Sequence, residues 1–165
     1  MAVDYFLKID GVAGESRDSK HKDEIELQSF SWGAHQVTPQ AGAGGGGGGG
    51  AGKVSMQDVH FVMRTNKASP KLFLACASGQ HLKSGVLTAR KAGKDQQEFL
   101  VYKFTDLLVS GYQTGGSEGT EVPVDQVSFN FAKVQTEYRP QNPTGQLGTA
   151  VTAGWDVKAN KALKI

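Results

Sequence analysis

The chain is 165 residues long, 38% hydrophobic and 21% charged, with 18 Lys and Arg against 16 Asp and Glu for a formal net charge of +2. A single domain of this size buries about 68 to 70 per cent of its unfolded surface and folds without staples, and the ordinary composition excludes disorder or coiled coil as a description of the whole. Interleaved charges leave no Lys/Arg stripe for nucleic acid, no run approaches the roughly 18 apolar residues of a membrane helix, and the lone Cys76 excludes an intramolecular disulfide.

Val3, Tyr5, Leu7 and Ile9 share one parity while Asp4 and Lys8 take the other, the period of a half-buried strand over Val3 to Ile9. Asp4, Lys8 and Asp10 also break the continuous apolar run that a secretory signal needs, so any export is expected to use a signal-independent route. A polar turn carrying Gly14, Glu15 and Ser16 leads to a second strand, Glu24 to Trp32. Its phase changes midway: Ile25 and Leu27 share one parity, Phe30 and Trp32 the other. A bulge near Gln28 or Ser29 is expected to bring all four to one core and to point Ser31 away from it.

Residues 42–52 are glycine and alanine throughout, with consecutive glycines at 44–50. They carry too little side chain to offset the entropy of ordering them, and both flanks read as strand, so a mobile loop is expected rather than an interdomain linker. Val54 and Met56 alternate, then Val59, Phe61 and Met63 do so on the opposite parity, which places a second expected bulge at Gln57 and Asp58. Residues 69–79 read as a helix with Ser69 as cap, Pro70 at the first helical position and Gly79 at a left-handed exit. Leu72, Phe73, Leu74 and Cys76 make it largely buried in this reading.

Candidate strands follow at 84–91, 97–105, 107–113, 122–138 and 150–158, separated by glycine or proline. In the fourth, Val127, Phe129 and Phe131 alternate with Ser128 and Asn130, giving one apolar face and one polar face that meets solvent, a lumen or a partner. The expected fold class is mainly β: a single domain over 1–165, its strands bent as barrel closure requires, with one flanking helix.

No catalytic, metal or cofactor site emerges from the motifs. Gly47 to Lys53 matches the G-x-x-x-x-G-K part of a phosphate-binding loop, but Val54 stands where the magnesium-binding Ser or Thr belongs and Ser55 comes one place late. A period-two segment also follows where a helix N-terminus should cradle phosphates. His21, His35, His60 and His81 form no i, i+4 pair or Cys/His cluster of the kind that binds zinc, and read as surface or hydrogen-bonded side chains. Cys76 sits in the apolar helix beside Ala75 and Ala77, where cysteine behaves as a small hydrophobe. Trp32 and Trp155 read as core anchors, and nothing singles out a pair among the carboxylates for acid–base work.

Met1 to Lys8, Gly14-Glu15-Ser16, Ser31-Trp32-Gly33 and Gly52-Lys53-Val54 together resemble the haemolysin-coregulated protein (Hcp) family of type VI secretion. Leu74-Ala75-Cys76 with Ser78-Gly79, Arg90 to Gly93, Thr114-Gly115-Gly116, and Asn130-Phe131-Ala132 with Val134-Gln135 follow in the family's order, so the likeness spans essentially the whole chain. The resemblance implies a β-barrel of two antiparallel sheets with a helix outside. It also implies a structural tube subunit rather than an enzyme: homohexameric rings with a wide pore, stacked into a tube inside a contractile sheath, tipped by a spike protein and carrying effector proteins in the lumen. The protein would be cytoplasmic before assembly and secreted afterwards, with no cofactor, nucleic acid or stable membrane insertion.

Under that resemblance Ser31 is the pore-lining candidate, and Gly44, Gly47, Gly50, Gly52 and Lys53 are the ring-stacking candidates. The glycine run is longer than the family's and lacks larger side chains beside it. Two other readings stand alongside: a monomeric barrel binding a small ligand among Phe30, Trp32 and Trp155, and a small hydrolase whose residues converge only in space.

Overall fold

A computed structural model describes residues 2–37, 52–93 and 96–165. The chain is mainly β with one helix, in two antiparallel sheets. The nine-stranded main sheet runs along β2 (Ile25–Leu27), β1 (Val3–Ile9), β7 (His81–Lys91), β8 (Glu98–Gly115), β9 (Val124–Tyr138), β10 (Val151–Asp156) and β11 (Lys161–Ala162). β3 (Ser29–Ser31) and β6 (Val59–Arg64) join it on the free edge of the N-terminal half of β9, while β10 takes the C-terminal half of that same edge. β4 (Ala34–Gln36) and β5 (Val54–Met56) pair only with each other, as a small second sheet.

The phase change expected near Gln28 is real, but its cause is an exchange of partners rather than a bulge. Ile25 to Leu27 pairs with β1, and Ser29 to Ser31 pairs with β6. The Gln28 amide donates to the Val62 carbonyl at 2.8 Å between them. One stretch of chain thus leaves one end of the curled sheet and joins the other. Ile25 and Leu27 are buried and Phe30 and Trp32 pack against the same core, as expected. Gln57 and Asp58 are likewise no bulge but the point where the chain leaves the small sheet for the main one.

The long strands carry the main departures from the expected elements. Candidates 97–105 and 107–113 are one strand, Glu98–Gly115, within which Asp106 adopts a left-handed φ of 58°. Phe104 and Leu107 are both buried on either side of it, and opposite them on β9 so are Phe131 and Val134. The core-facing parity therefore switches on both strands at one level, where β9 changes partner from β6 to β10. Phe61, Phe104 and Phe129 fill the centre, with Phe104 edge-on to Phe129 at 5.4 Å between ring centres. Trp32 lies edge-on to Tyr102, Phe104 and Phe131, and Trp155 packs on the same core, so both tryptophans are anchors.

The helix α1 (Ser69–Ser78) ends on Gly79 in the left-handed conformation, as expected, but two readings of it are corrected. Ala68, not Ser69, is the cap residue, and the Ser69 hydroxyl turns inward to donate to the Asp125 carboxylate at 2.5 Å. Only Ser69, Leu72 and Ala75 are buried, because the sheet meets just one side of the helix. Phe73 and Leu74 are more than half exposed, at 57% and 60%. No helix among the described residues is long and apolar enough to cross a membrane.

Candidate functional site: an outward polar face

Alternation along β3, β6 and β9 sends one set of side chains into the core and the other outward. Register aligns the outward set into rows across four strands. One row is Ser31, His60, Ser128 and Gly111; the next is Ser29, Val62, Gln126 and Gln113. Ser31 and His60 are exposed and Ser128 is half-buried, so Ser31 does face away from the core. At a strand spacing of about 4.8 Å the first row is roughly 14 Å wide.

Two sheet irregularities add chemistry to this row. The register of β8 against β9 slips between Val109 and Gly111, which squeezes Ser110 out of the ladder. Its hydroxyl lies 2.9 Å from that of Ser128 and donates to the carboxylate of Asp58, the residue at the change of sheets. Gly111 makes room for this arrangement, since a Cβ there would lie 2.7 Å from the Ser128 oxygen. Sequence reading anticipated Ser128 and Asn130 on a polar face but not the partnership with Asp58 and Ser110. The Ser110-Gly111 pair, a turn-like dipeptide inside a strand, was the available signal.

The arrangement offers short hydroxyl, amide and imidazole groups for hydrogen bonding. Among the described residues His60 makes no side-chain hydrogen bond to a serine, and Ser110 is held by the Asp58 carboxylate and Ser128 with no histidine between them. No group of three or more His, Cys, Asp or Glu that could hold a metal occurs among the described residues. Gly44, Gly47 and Gly50 lie outside the described residues. Exposed Lys53 leads into strand β5 and not into the helix N-terminus of a phosphate loop. Gly52 and Lys53 sit at the base of the small sheet, where the Gln36 side-chain amide donates to the Gly52 carbonyl and the Val37 amide to the Lys53 carbonyl at 3.4 Å.

Two polar clusters elsewhere hold the frame on which this face stands. Arg90, 3% exposed, bonds Asp18 through both terminal nitrogens at 2.9 and 2.7 Å and lies over the Phe6 ring at 4.8 Å. The Arg90 guanidinium holds the Asp18 carboxyl far below the usual carboxylate range. His21 stacks on the same Phe6 ring at 4.3 Å, with its ring nitrogens 2.8 Å from Glu24 and 2.6 Å from Glu98. Phe6 is therefore buried outside the parity of Leu7 and Ile9, under the loop that carries Gly14 to Ser16. Gly14 is required there because a Cβ would approach the Glu24 carbonyl oxygen to 2.5 Å.

The second cluster centres on Asp125, which is fully buried. It accepts from Ser69 at 2.5 Å, Thr65 at 2.8 Å and Tyr112 at 3.1 Å. Burial alone pushes this carboxyl up, but the hydroxyls of Ser69, Thr114, Thr65 and Tyr112 together outweigh it and leave it below its ordinary value.

A cleft of about 520 Å³ lies where β2 and β6 diverge, lined by Glu26, Leu27, Arg64 and Thr65 among others. It opens at the surface, and the interior that a ligand-binding barrel needs is filled by Phe61, Phe104 and Phe129.

A sequence model described as the type VI secretion system effector Hcp matches residues 6–138. The chain is 44% identical over 162 residues to protein hcp1 of Pseudomonas aeruginosa, covering 97% of this chain and 98% of that protein. Among solved structures it resembles Hcp1 from Salmonella typhimurium, with 40% identity, a TM-score of 0.79, and 99% of this chain and 100% of that one covered. A structure described as a type six secretion system protein superposes with a TM-score of 0.90 at 34% identity, covering 98% of this chain and 100% of that one.

Proposed function

We propose that this chain, which belongs to the Hcp family of type VI secretion system proteins, works by association as the repeating subunit of a secretion tube. Six copies close into a ring, rings stack into a tube, and the outward face of β3, β6, β9 and β8, Ser31 included, lines the lumen. The observation that carries this reading is the 44% identity along 97% of the chain, because it extends over nearly the whole chain and is not confined to one local motif. A closed ring requires heterologous contacts, one edge of each subunit meeting a different edge of the next, and repetition adds small interface energies into a stable assembly.

In this role the chain needs no catalytic group or cofactor. Its partners are further copies of itself, a contractile sheath, a spike protein and effector proteins held in the lumen. It begins in the cytoplasm and leaves without a cleaved signal. The segment carrying Gly44, Gly47, Gly50, Gly52 and Lys53 connects β4 and β5, which pair apart from the main sheet, and we assign it to the contact between rings.

Size-exclusion chromatography with light scattering tests the assembly. The expected mass is six times the 17.5 kDa of one chain. A strict monomer across all accessible concentrations would overturn the reading.

A further inference from the structure

Asp58, Ser110 and Ser128 come from a sheet change, a bulge and a regular strand, yet their oxygens form one connected line on the outward face. The direction of its hydrogen bonds is set by valence. A carboxylate only accepts, so the single proton of Ser110 goes to Asp58. The 2.9 Å contact between Ser110 and Ser128 must then use the proton of Ser128. Ser128 is left with lone pairs and no proton to offer, and each bond in such a chain polarises the next.

We propose that this line is a polarised acceptor relay that makes the face select hydrogen-bond donors, and hence cargo proteins presenting lysine and arginine side chains. The inference rests on the reading that this face lines the lumen, and goes beyond it by naming the chemistry of what the lumen holds. The relay is built by three separate features: the slip that expels Ser110, the missing side chain at Gly111, and the break that places Asp58. Ser31 and His60 continue the row and can each accept or donate, so the selection rests on the Ser128 oxygen. Arg64, the cation on the same face of β6, lies four residues from His60, about 13 Å along the strand, while the relay itself ends on the Asp58 carboxylate. Six copies around a ring multiply a weak single contact into retention.

The test measures fluorescence anisotropy of two labelled peptides, a lysine–serine repeat and its glutamate–serine counterpart, against the wild-type ring and the variants S128A, D58N and G111A. The wild type is expected to prefer the lysine peptide. S128A, which changes no charge, should weaken that binding about tenfold, and G111A should match it by displacing the Ser128 oxygen. D58N should weaken it as much and narrow the gap between the peptides. Equal affinity for both peptides, no binding of either, or intact rings of S128A and D58N that bind the lysine peptide like wild type would overturn the relay. A separate arm labels rings carrying Q126C in a C76A background with small and with bulky maleimides, so that position 126 holds the one thiol. Equal access of the bulky reagent to ring and monomer would defeat the lumenal reading itself, whatever the peptides do.

Discussion

Replacing Asp125 by asparagine keeps the shape of the side chain and removes its charge, which isolates the worth of a buried carboxylate. Asp125 is fully buried and takes hydroxyl donors from Ser69, Thr65 and Tyr112, joining the start of the helix to β6 and β8. A hydrogen bond to a charged acceptor is worth about 1.5 to 3 kcal/mol and a neutral one about 1, so three bonds lose about 3 kcal/mol between them. Relief from burying a charge offsets part of this, for a net loss of about 2 kcal/mol, or about 4 to 8 °C in Tm for a chain of this length.

The pH dependence fixes the sign. The folded carboxyl lies below its ordinary 3.8, so its contribution is fully present above that value and is lost as pH falls through the lower folded value. Thermal unfolding followed by circular dichroism at one protein concentration should therefore give a gap between wild type and D125N that is constant from about pH 7 to 5 and shrinks below about pH 4. A variant as stable as wild type near neutrality, or a gap that widens in acid, would refute the reasoning.

G14A should destabilise the chain by about 1 to 3 kcal/mol, measured by urea unfolding, since the new methyl meets the Glu24 carbonyl and backbone must move. Within the helix, L72A should cost about 2 to 5 kcal/mol and L74S within about 0.5 kcal/mol, a contrast of neighbours that the same urea series reads. Deletion of residues 44–50 should leave the ring mass unchanged by light scattering while reducing tube formation in negative-stain microscopy; unchanged tubes would remove the stacking role assigned to that segment.

Much of the fold was legible because strand alternation is local. The parities of Ile25, Leu27, Phe30 and Trp32 place all four at the core and Ser31 outside it without reference to any partner strand. Partner choice is not local, so the phase change at Gln28 read as a bulge when it marks a transfer between β1 and β6. Asp106 misled for a related reason: one left-handed residue switches the core parity inside a continuous strand and makes it look like two. The helix was overread because its apolar residues cover more of its circumference than the sheet can meet, leaving Phe73 and Leu74 outside. The Asp58–Ser110–Ser128 line was hidden by separations of 52 and 18 residues, which no periodicity connects.

The shared edge of β9 has a consequence for how the molecule comes apart. Because β6 occupies one half of that edge and β10 the other, while β8 runs along nearly the whole opposite side, neither half of the sheet can open without loosening the strand that braces its neighbour. The β8–β9 amides should then exchange with solvent only through global unfolding, and in a subunit pulled along its long strands these are the bonds loaded in shear. A structure whose work is to be transported is in this way tied into one cooperative unit by a single strand.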